Sequence, residues 1–355
     1  MTARVPQLDG LRAVAVLLVV AAHVGFLVDL SPGGRRALAP LISGDGVELF
    51  FVLSGYLITG ILVREREQSG AMSLRRFYVR RTLRIWPALY VFLGVAAVLA
   101  LLGLVDLRLT DVLLAGLFVW NYVLHAARFI GHTWSLAVEE QFYLVWPVVL
   151  QRLSARRALG VALALVVATP FLRLLTWDLM DGDRFRISFM THARADALMI
   201  GAALALAPVA CPQAYAALVR AVLRWRVDLL AAVGFFLVWP WTLVAFLPPH
   251  QSAQFATVWS RSPLGICGAL VLLGLVERPA GLLARVLSTR VAVHVGVLSY
   301  SLYLWQEPFL LPSYSLALPL RLLAAVAAAE LSLWLVERPF LRLKERYAST
   351  PRVVA

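Results

Sequence analysis

Apolar runs of bilayer length, interrupted by short arginine clusters, leave this chain few architectures. A helix of roughly 20 apolar residues covers a hydrocarbon core of about 30 Å. Inside lipid the backbone must satisfy its own hydrogen bonds, which helices do segment by segment. The composition agrees: 61% of the 355 residues are hydrophobic and 15% charged, with a mean hydropathy of +0.81. These values exclude a soluble globule and predict an all-α, polytopic integral membrane helical bundle.

The arginines set the expected topology. Arg64, Arg66, Arg75, Arg76, Arg80, Arg81 and Arg84 form the densest group. Smaller groups follow at Arg152/Arg156/Arg157, Arg220/Arg224/Arg226, Arg278/Arg285/Arg290 and Arg338/Arg342/Lys344/Arg346. The positive-inside rule assigns all of these to the cytoplasm. About ten spans then alternate with both termini inside: 9–30, 46–63, 85–104, 134–151, 158–176, 194–210, 228–247, 260–276, 291–311 and 316–336. A further apolar run at 111–124 breaks the parity if it crosses, and is read as re-entrant or packed on the bundle. The outer loop at 31–40 carries Arg35 and Arg36 against the rule. A net charge of +13 would suit nucleic acid, but its distribution in short clusters between apolar runs suits membrane loops instead. Lys344 is the only lysine, an arginine bias that reads as GC-rich coding. Cys211 and Cys267 give neither a disulfide framework nor a thiolate metal site. MTARVP before the first span is too short for a cleaved signal, so that span is expected to stay as an anchor. The expected organisation is one membrane domain over 1–345 and a cytoplasmic tail over 346–355.

The first span, QLDGLRAVAVLLVVAAHVGFLVDL, holds Asp9, Arg12 and His23 in its apolar sequence. Eleven residues separate Arg12 from His23. That is about 1100° of helix, so the two share one face about 16 Å apart. An ionisable group inside a span faces a cavity or a partner and marks a candidate site. The bland alternative is a histidine bonded between helices, with Asp9 as an N-cap and Arg12 snorkelling.

Three more segments carry chemistry. GVELFFVLSGYLITG places Glu48 near the start of the second span, joined by a short loop to the end of the first. A carboxylate beside His23 would orient it and raise its basicity. The Ser54–Gly55 pair reads as close helix packing rather than a nucleophile. In SLRRFYVRRTLRIWPALY, Arg76, Arg80 and Arg84 fall at i, i+4 and i+8 with aromatic residues between them. Such a row of guanidinium forks exceeds what topology needs and suits phosphate binding. In GHTWSLAVEEQFYLVWP, the adjacent Glu139 and Glu140 point about 100° apart, so one is expected to face the interior. THARADALMIG adds Arg194 and Asp196 at the start of a span. His125, His192, His250 and His294 lie near loops or span ends and take no role. No spacing of ligands predicts a metal.

Together these segments resemble the membrane-bound acyltransferase family 3. LDGLRAVAVLLVVAAHVG, GVELFFVLSGYLI, FYVRRTLRIWPALY, TWSLAVEEQFYLVWP, RADALMIG, LSYSLYLW and LVERPF occur in the family's order, over nearly the whole chain. The resemblance implies transfer of an acyl group, most often acetyl, from acyl-CoA to a hydroxyl. Acceptors in the family are envelope sugars, peptidoglycan, and glycosylated or macrolide natural products. It implies an essential Arg12 and His23, an acidic Glu139, and a basic donor motif at Arg80, Arg81 and Arg84. Two departures stand out: Gln306 occupies a position where the family commonly has histidine, and Glu48 one where aspartate is frequent. The expected mechanism has His23 as general base, oriented by Glu48 or Glu139. Arg76, Arg80, Arg81, Arg84, Arg194 and Arg12 hold the phosphates of acyl-CoA, a co-substrate rather than a resident cofactor. Asp9, Glu140, Asp196 and Tyr303 support substrate. The rival expectation is a transporter or flippase of a lipid-linked glycan, which would call for broken helices in paired repeats.

Overall fold

The computed structural model describes residues 5–25, 27–28, 45–123, 128–235, 248–311 and 316–347, together with Ser31, Gly34, Leu38 and Leu41. Arg35, Arg36, His125, the second half of the 228–247 run and most of the tail lie outside the described residues, as does the side chain of His250. The regular secondary structure among the described residues is all helix, with no strand.

The principal helices in chain order are α1 (Pro6–Gly25), α2 (Gly46–Ser69), α3 (Leu74–Leu101), α4 (Leu109–Gly116), α5 (Thr133–Arg152), α6 (Ala155–Leu179), α7 (Ala195–Ala210), α8 (Pro212–Arg224), α9 (Val227–Val233), α10 (Pro249–Val258), α11 (Arg261–Glu277), α12 (Leu282–Leu287), α13 (Arg290–Phe309), α14 (Leu318–Ser332) and α15 (Arg338–Glu345). Local signals explain several boundaries. Ser73 and Ser154 cap α3 and α6 by accepting the backbone N–H of Arg76 and Arg157. Gly70, with φ of 74°, ends α2 in the left-handed conformation that glycine adopts freely.

Among the described residues, five helices are long and apolar enough to cross a membrane: α1, α2, α3, α6 and the α14–α15 stretch. Two bent pairs, α7 with α8 and α10 with α11, bring the number to seven if each is one span. This is fewer than the ten runs read from hydropathy. The difference lies in particular residues. α5 and α13 are long helices but carry Glu139, Glu140, His294, Gln306 and Glu307, which dilute their apolar character. After α7 the chain turns by 118° into α8 at Cys211–Pro212. The 111–124 run does not form a spanning helix: α4 has eight residues and is followed by a short 3-10 turn at Trp120–Tyr122.

Glycines set the helix pairs that position the site. A Cβ on Gly55 would meet the Leu198 carbonyl oxygen at 1.9 Å, and one on Gly201 the Val52 oxygen at 2.0 Å. α2 and α7 therefore touch backbone to backbone, as small residues permit in membrane bundles. Gly296 lets α13 approach Asp9 of α1 equally closely. α1 and α13 run parallel, since Asp9 lies beside Gly296 and His23 beside Glu307.

Candidate active site

The bundle has an arginine-rich end, where α1 starts, α2 ends and α3 starts, and an opposite end where His23 lies. Between them runs a cavity of about 810 Å³. Its wall at the arginine-rich end includes Arg12, Arg64, Arg81, Arg84 and Lys344. Further in, Ser54, Glu139, Ser135 and Tyr303 line it. Such a volume is that of a small-molecule site, with a mixed apolar and polar wall.

Asp9, in the first turn of α1, lies 2.8 Å from Arg12 and fixes the guanidinium at the cavity wall. α1 is continuous from Pro6 to Gly25, so the shared face of Arg12 and His23 is realised as helix geometry. The two glutamates of α5 separate as their 100° offset requires. Glu139 enters the cavity, accepting the Ser54 hydroxyl at 2.6 Å and facing Arg81 at 4.0 Å. Glu140 turns to the other side and accepts the indole N–H of Trp86 at 3.3 Å.

At the far end of α1, His23 Nδ1 lies 2.9 Å from the Val19 carbonyl oxygen. A carbonyl only accepts, so Nδ1 carries the proton and Nε2 is the basic nitrogen of the neutral ring. Nε2 faces Glu307 Oε1 at 3.6 Å. The other oxygen of Glu307 is held by two donors of one residue, the backbone N–H of His132 at 2.8 Å and its ring Nδ1. His132 is itself fixed: its carbonyl accepts the Tyr303 hydroxyl at 2.7 Å, and its ring packs edge-on against Phe92 and Tyr303. Ser135 Oγ completes the contact, 2.5 Å from the Tyr303 hydroxyl. Tyr303 thus forms the inner wall of the cavity on one side and touches the His132–Glu307–His23 chain on the other. His23 and Glu307 do not themselves line the cavity.

The partner of His23 is therefore Glu307, not Glu48 or Glu139, which corrects the expectation from sequence. Glu48 sits seven residues before Gly55, so both share one face of α2. That face is locked on α7, where Arg194 stands seven residues before Gly201. Glu48 consequently pairs with Arg194 at 2.9 Å, both buried. Glu139 is engaged by Ser54 and Arg81 deeper in the bundle. The tautomer of His23 is set by its own helix rather than by a carboxylate. Glu307 and His132 are the site residues that sequence reading passes over. The readable signal is a carboxylate at the end of an apolar helix, one residue after Gln306. Gln306 is fully buried, and its two side-chain polar atoms have no hydrogen-bond partner among the described residues.

The predicted donor arginines divide. Arg76 and Arg80 lie 3.5 and 3.3 Å from Glu65. Arg81 stacks over Tyr143, its guanidinium carbon 3.8 Å from the ring centre. Arg84 and Arg12 line the cavity. Arg194 is not with them. It stands near the start of α2, about 24 Å of helix rise from Arg64, over Trp134 at 5.0 Å. Together with Glu48 it belongs to a second buried group. There Asp196 accepts Ser262 and lies 2.9 Å from Arg173, and Arg173 also donates to the carbonyls of Val258 and Ala193. Bonded to one another, Arg173, Asp196 and Ser262 tie α6, α7 and α11 together.

Residues 5–336 match the family model described as an acyltransferase domain. The chain belongs to acyltransferase family 3. Its members transfer acyl groups, and as a multi-pass membrane chain it shares their setting. Among its relatives are the peptidoglycan O-acetyltransferase OatA of Listeria monocytogenes, 30% identical over 94% of this chain and 55% of that protein. A putative O-acetyltransferase of Staphylococcus aureus is 28% identical over 98% of this chain and 57% of its own length. The putative peptidoglycan O-acetyltransferase YrhL of Bacillus subtilis is 29% identical over 94% and 54% respectively. The chain thus spans about half the length of these relatives. No solved structure matches it. Arg12, His23, Glu139, Tyr303 and Glu307 all lie within the matched residues.

Proposed function

We propose that this chain is an O-acetyltransferase that moves an acyl group, acetyl in the first instance, from acyl-CoA to a hydroxyl of a cell-envelope glycan. Peptidoglycan is the acceptor suggested by the names of the relatives. The observation that carries the reading is the cavity from Arg12 and Arg84 to Tyr303, backed by the Glu307–His23 pair. In this reading the chain crosses a bacterial cytoplasmic membrane about ten times as a single domain. Its arginine-rich end and both termini face the cytoplasm, where acyl-CoA is made.

The nucleotide half of acyl-CoA rests at the arginine-rich mouth, and its extended arm runs inward past Glu139. The thioester passes the Ser135–Tyr303 contact to meet the acceptor beside His23. His23 Nε2 takes the proton of the acceptor hydroxyl as its oxygen attacks the thioester carbonyl. The C–S bond then breaks, and the CoA thiolate leaves with the proton that His23 returns. Glu307, 3.6 Å from Nε2, stabilises the imidazolium while it exists. General-base assistance of this kind contributes typically about 10²–10⁴-fold.

The test is transfer of label from acetyl-CoA. Membranes holding the chain are incubated with radiolabelled acetyl-CoA and either peptidoglycan fragments or a glycosylated macrolide. A base-labile labelled ester on the glycan fragments is the expected result. Label that stays on CoA with every acceptor, while folded protein is present, would remove the proposal and favour transport.

A further inference from the structure

The cavity mouth has more positive charge than its own carboxylates neutralise. Arg12, Arg64, Arg81, Arg84 and Lys344 line the cavity, against Asp9, Glu139 and Glu337. Asp9 is taken by Arg12, and Glu139 by Ser54 and Arg81. Glu337 accepts the hydroxyl of Ser301, and its charge also acts on Arg84 from beyond ion-pair distance. Arg84 and Lys344 have no carboxylate within ion-pair distance among the described residues, although both are partly buried. Five cations against three carboxylates leave an excess of positive charge on a confined wall, centred on Lys344, which is costly in the empty site and attracts an anion into it.

Lys344 reaches this wall because of how the last helix docks. α15 packs on the start of α3, and Arg80 Nη1 donates to the Tyr347 carbonyl at 3.1 Å just beyond it. Leu341 and Lys344, three residues apart and so on one face, turn to the cavity together. The chain uses arginine for every other basic position. At this one it presents a compact ammonium with three donors, suited to a phosphate as a point charge rather than as a planar fork. Lys344 also lies beyond the residues matched to the family, 5–336.

We infer that Lys344, with Arg84 lining the same cavity, binds a phosphoryl group of the donor's nucleotide half, making α15 a wall of the donor site. The inference rests on the acyl-CoA reading above and adds a residue and a helix to it. Two phosphate sources exist on one CoA molecule, the 3′-phosphate and the pyrophosphate.

Titration calorimetry of the full chain in detergent, with CoA as the probe, tests this without turnover. Lys344→Gln is expected to bind CoA about tenfold more weakly, the loss of one charge-assisted contact. Lys344→Arg should stay within about threefold of wild type, since it keeps the charge. With 3′-dephospho-CoA as a second probe, the penalty of Lys344→Gln vanishes if the 3′-phosphate is the partner. It persists if the pyrophosphate is. Equal CoA affinity of wild type and Lys344→Gln, at matched size-exclusion profiles, overturns the inference. Failure of the donor reading itself looks different: wild type then neither binds CoA nor transfers label from acetyl-CoA.

Discussion

Replacing Glu307 by glutamine removes a charge while keeping a side chain that can still accept both donors of His132. The change therefore isolates electrostatic support of His23 from the scaffold. Two unit charges at the 3.6 Å separation of Oε1 and Nε2 interact by roughly 4–5 kcal/mol at an effective dielectric near 20, and about 1 kcal/mol in water. The side chains are 24% and 13% exposed, between those limits. We take about 2–4 kcal/mol as the stabilisation lost when the imidazolium forms, which is a fall in kcat of about 30- to 1000-fold. KM for acetyl-CoA should change little, because Glu307 does not line the cavity that would hold the donor. The assay is single-turnover transfer of labelled acetyl to a glycan acceptor by purified protein in nanodiscs. A variant with normal size-exclusion behaviour and kcat within about threefold of wild type would refute the argument that this carboxylate supports the base.

Further expectations follow from the same geometry. Arg12→Gln should raise KM for acetyl-CoA about tenfold or more, read from saturation curves, because a cation on the cavity wall is lost. Asp196→Ala leaves Arg173 buried and uncompensated and should cost about 3–5 kcal/mol of stability, seen as early thermal unfolding in detergent. Replacing Arg173 and Asp196 together by apolar residues should cost less than the single change. Gly55→Leu forces α2 off α7, where even a Cβ would stand 1.9 Å from the Leu198 oxygen, and should abolish recovery of monodisperse protein. Tyr303→Phe removes the hydroxyl bonded to His132 and Ser135, at a stability cost of about 1 kcal/mol by the same unfolding measurement.

What the sequence makes legible here is what helical periodicity can carry. Arg12 and His23 on one face, the divergence of Glu139 from Glu140, and the packing role of Gly55 each follow from residues within a few turns of one another. Pairings between helices do not follow. Loop length alone suggests that Glu48 meets His23, but the rotation of α2 is set by Gly55 against Gly201, residues far apart in the chain. That contact turns Glu48 to Arg194. Glu307 meets His23 only because Gly296 brings α13 alongside Asp9 of α1, and no local pattern announces it. Span counting has a similar limit: α5 and α13 are helices of bilayer length whose polar residues serve the interior, so hydropathy alone describes them poorly. The arginine row shows the converse. Its i, i+4 spacing places Arg76, Arg80 and Arg84 together, yet Glu65 neutralises the first two and leaves Arg84 to the cavity.

In the proposed reaction, Nε2 of His23 accepts the acceptor's proton during acyl transfer. The most direct test of this step is single-turnover transfer of labelled acetyl by His23→Gln in nanodiscs, beside wild type, with CoA affinity measured on the same preparations. In this variant CoA should bind with near wild-type affinity while transfer falls by about 10²–10⁴-fold. Transfer at close to the wild-type rate in folded His23→Gln would contradict it.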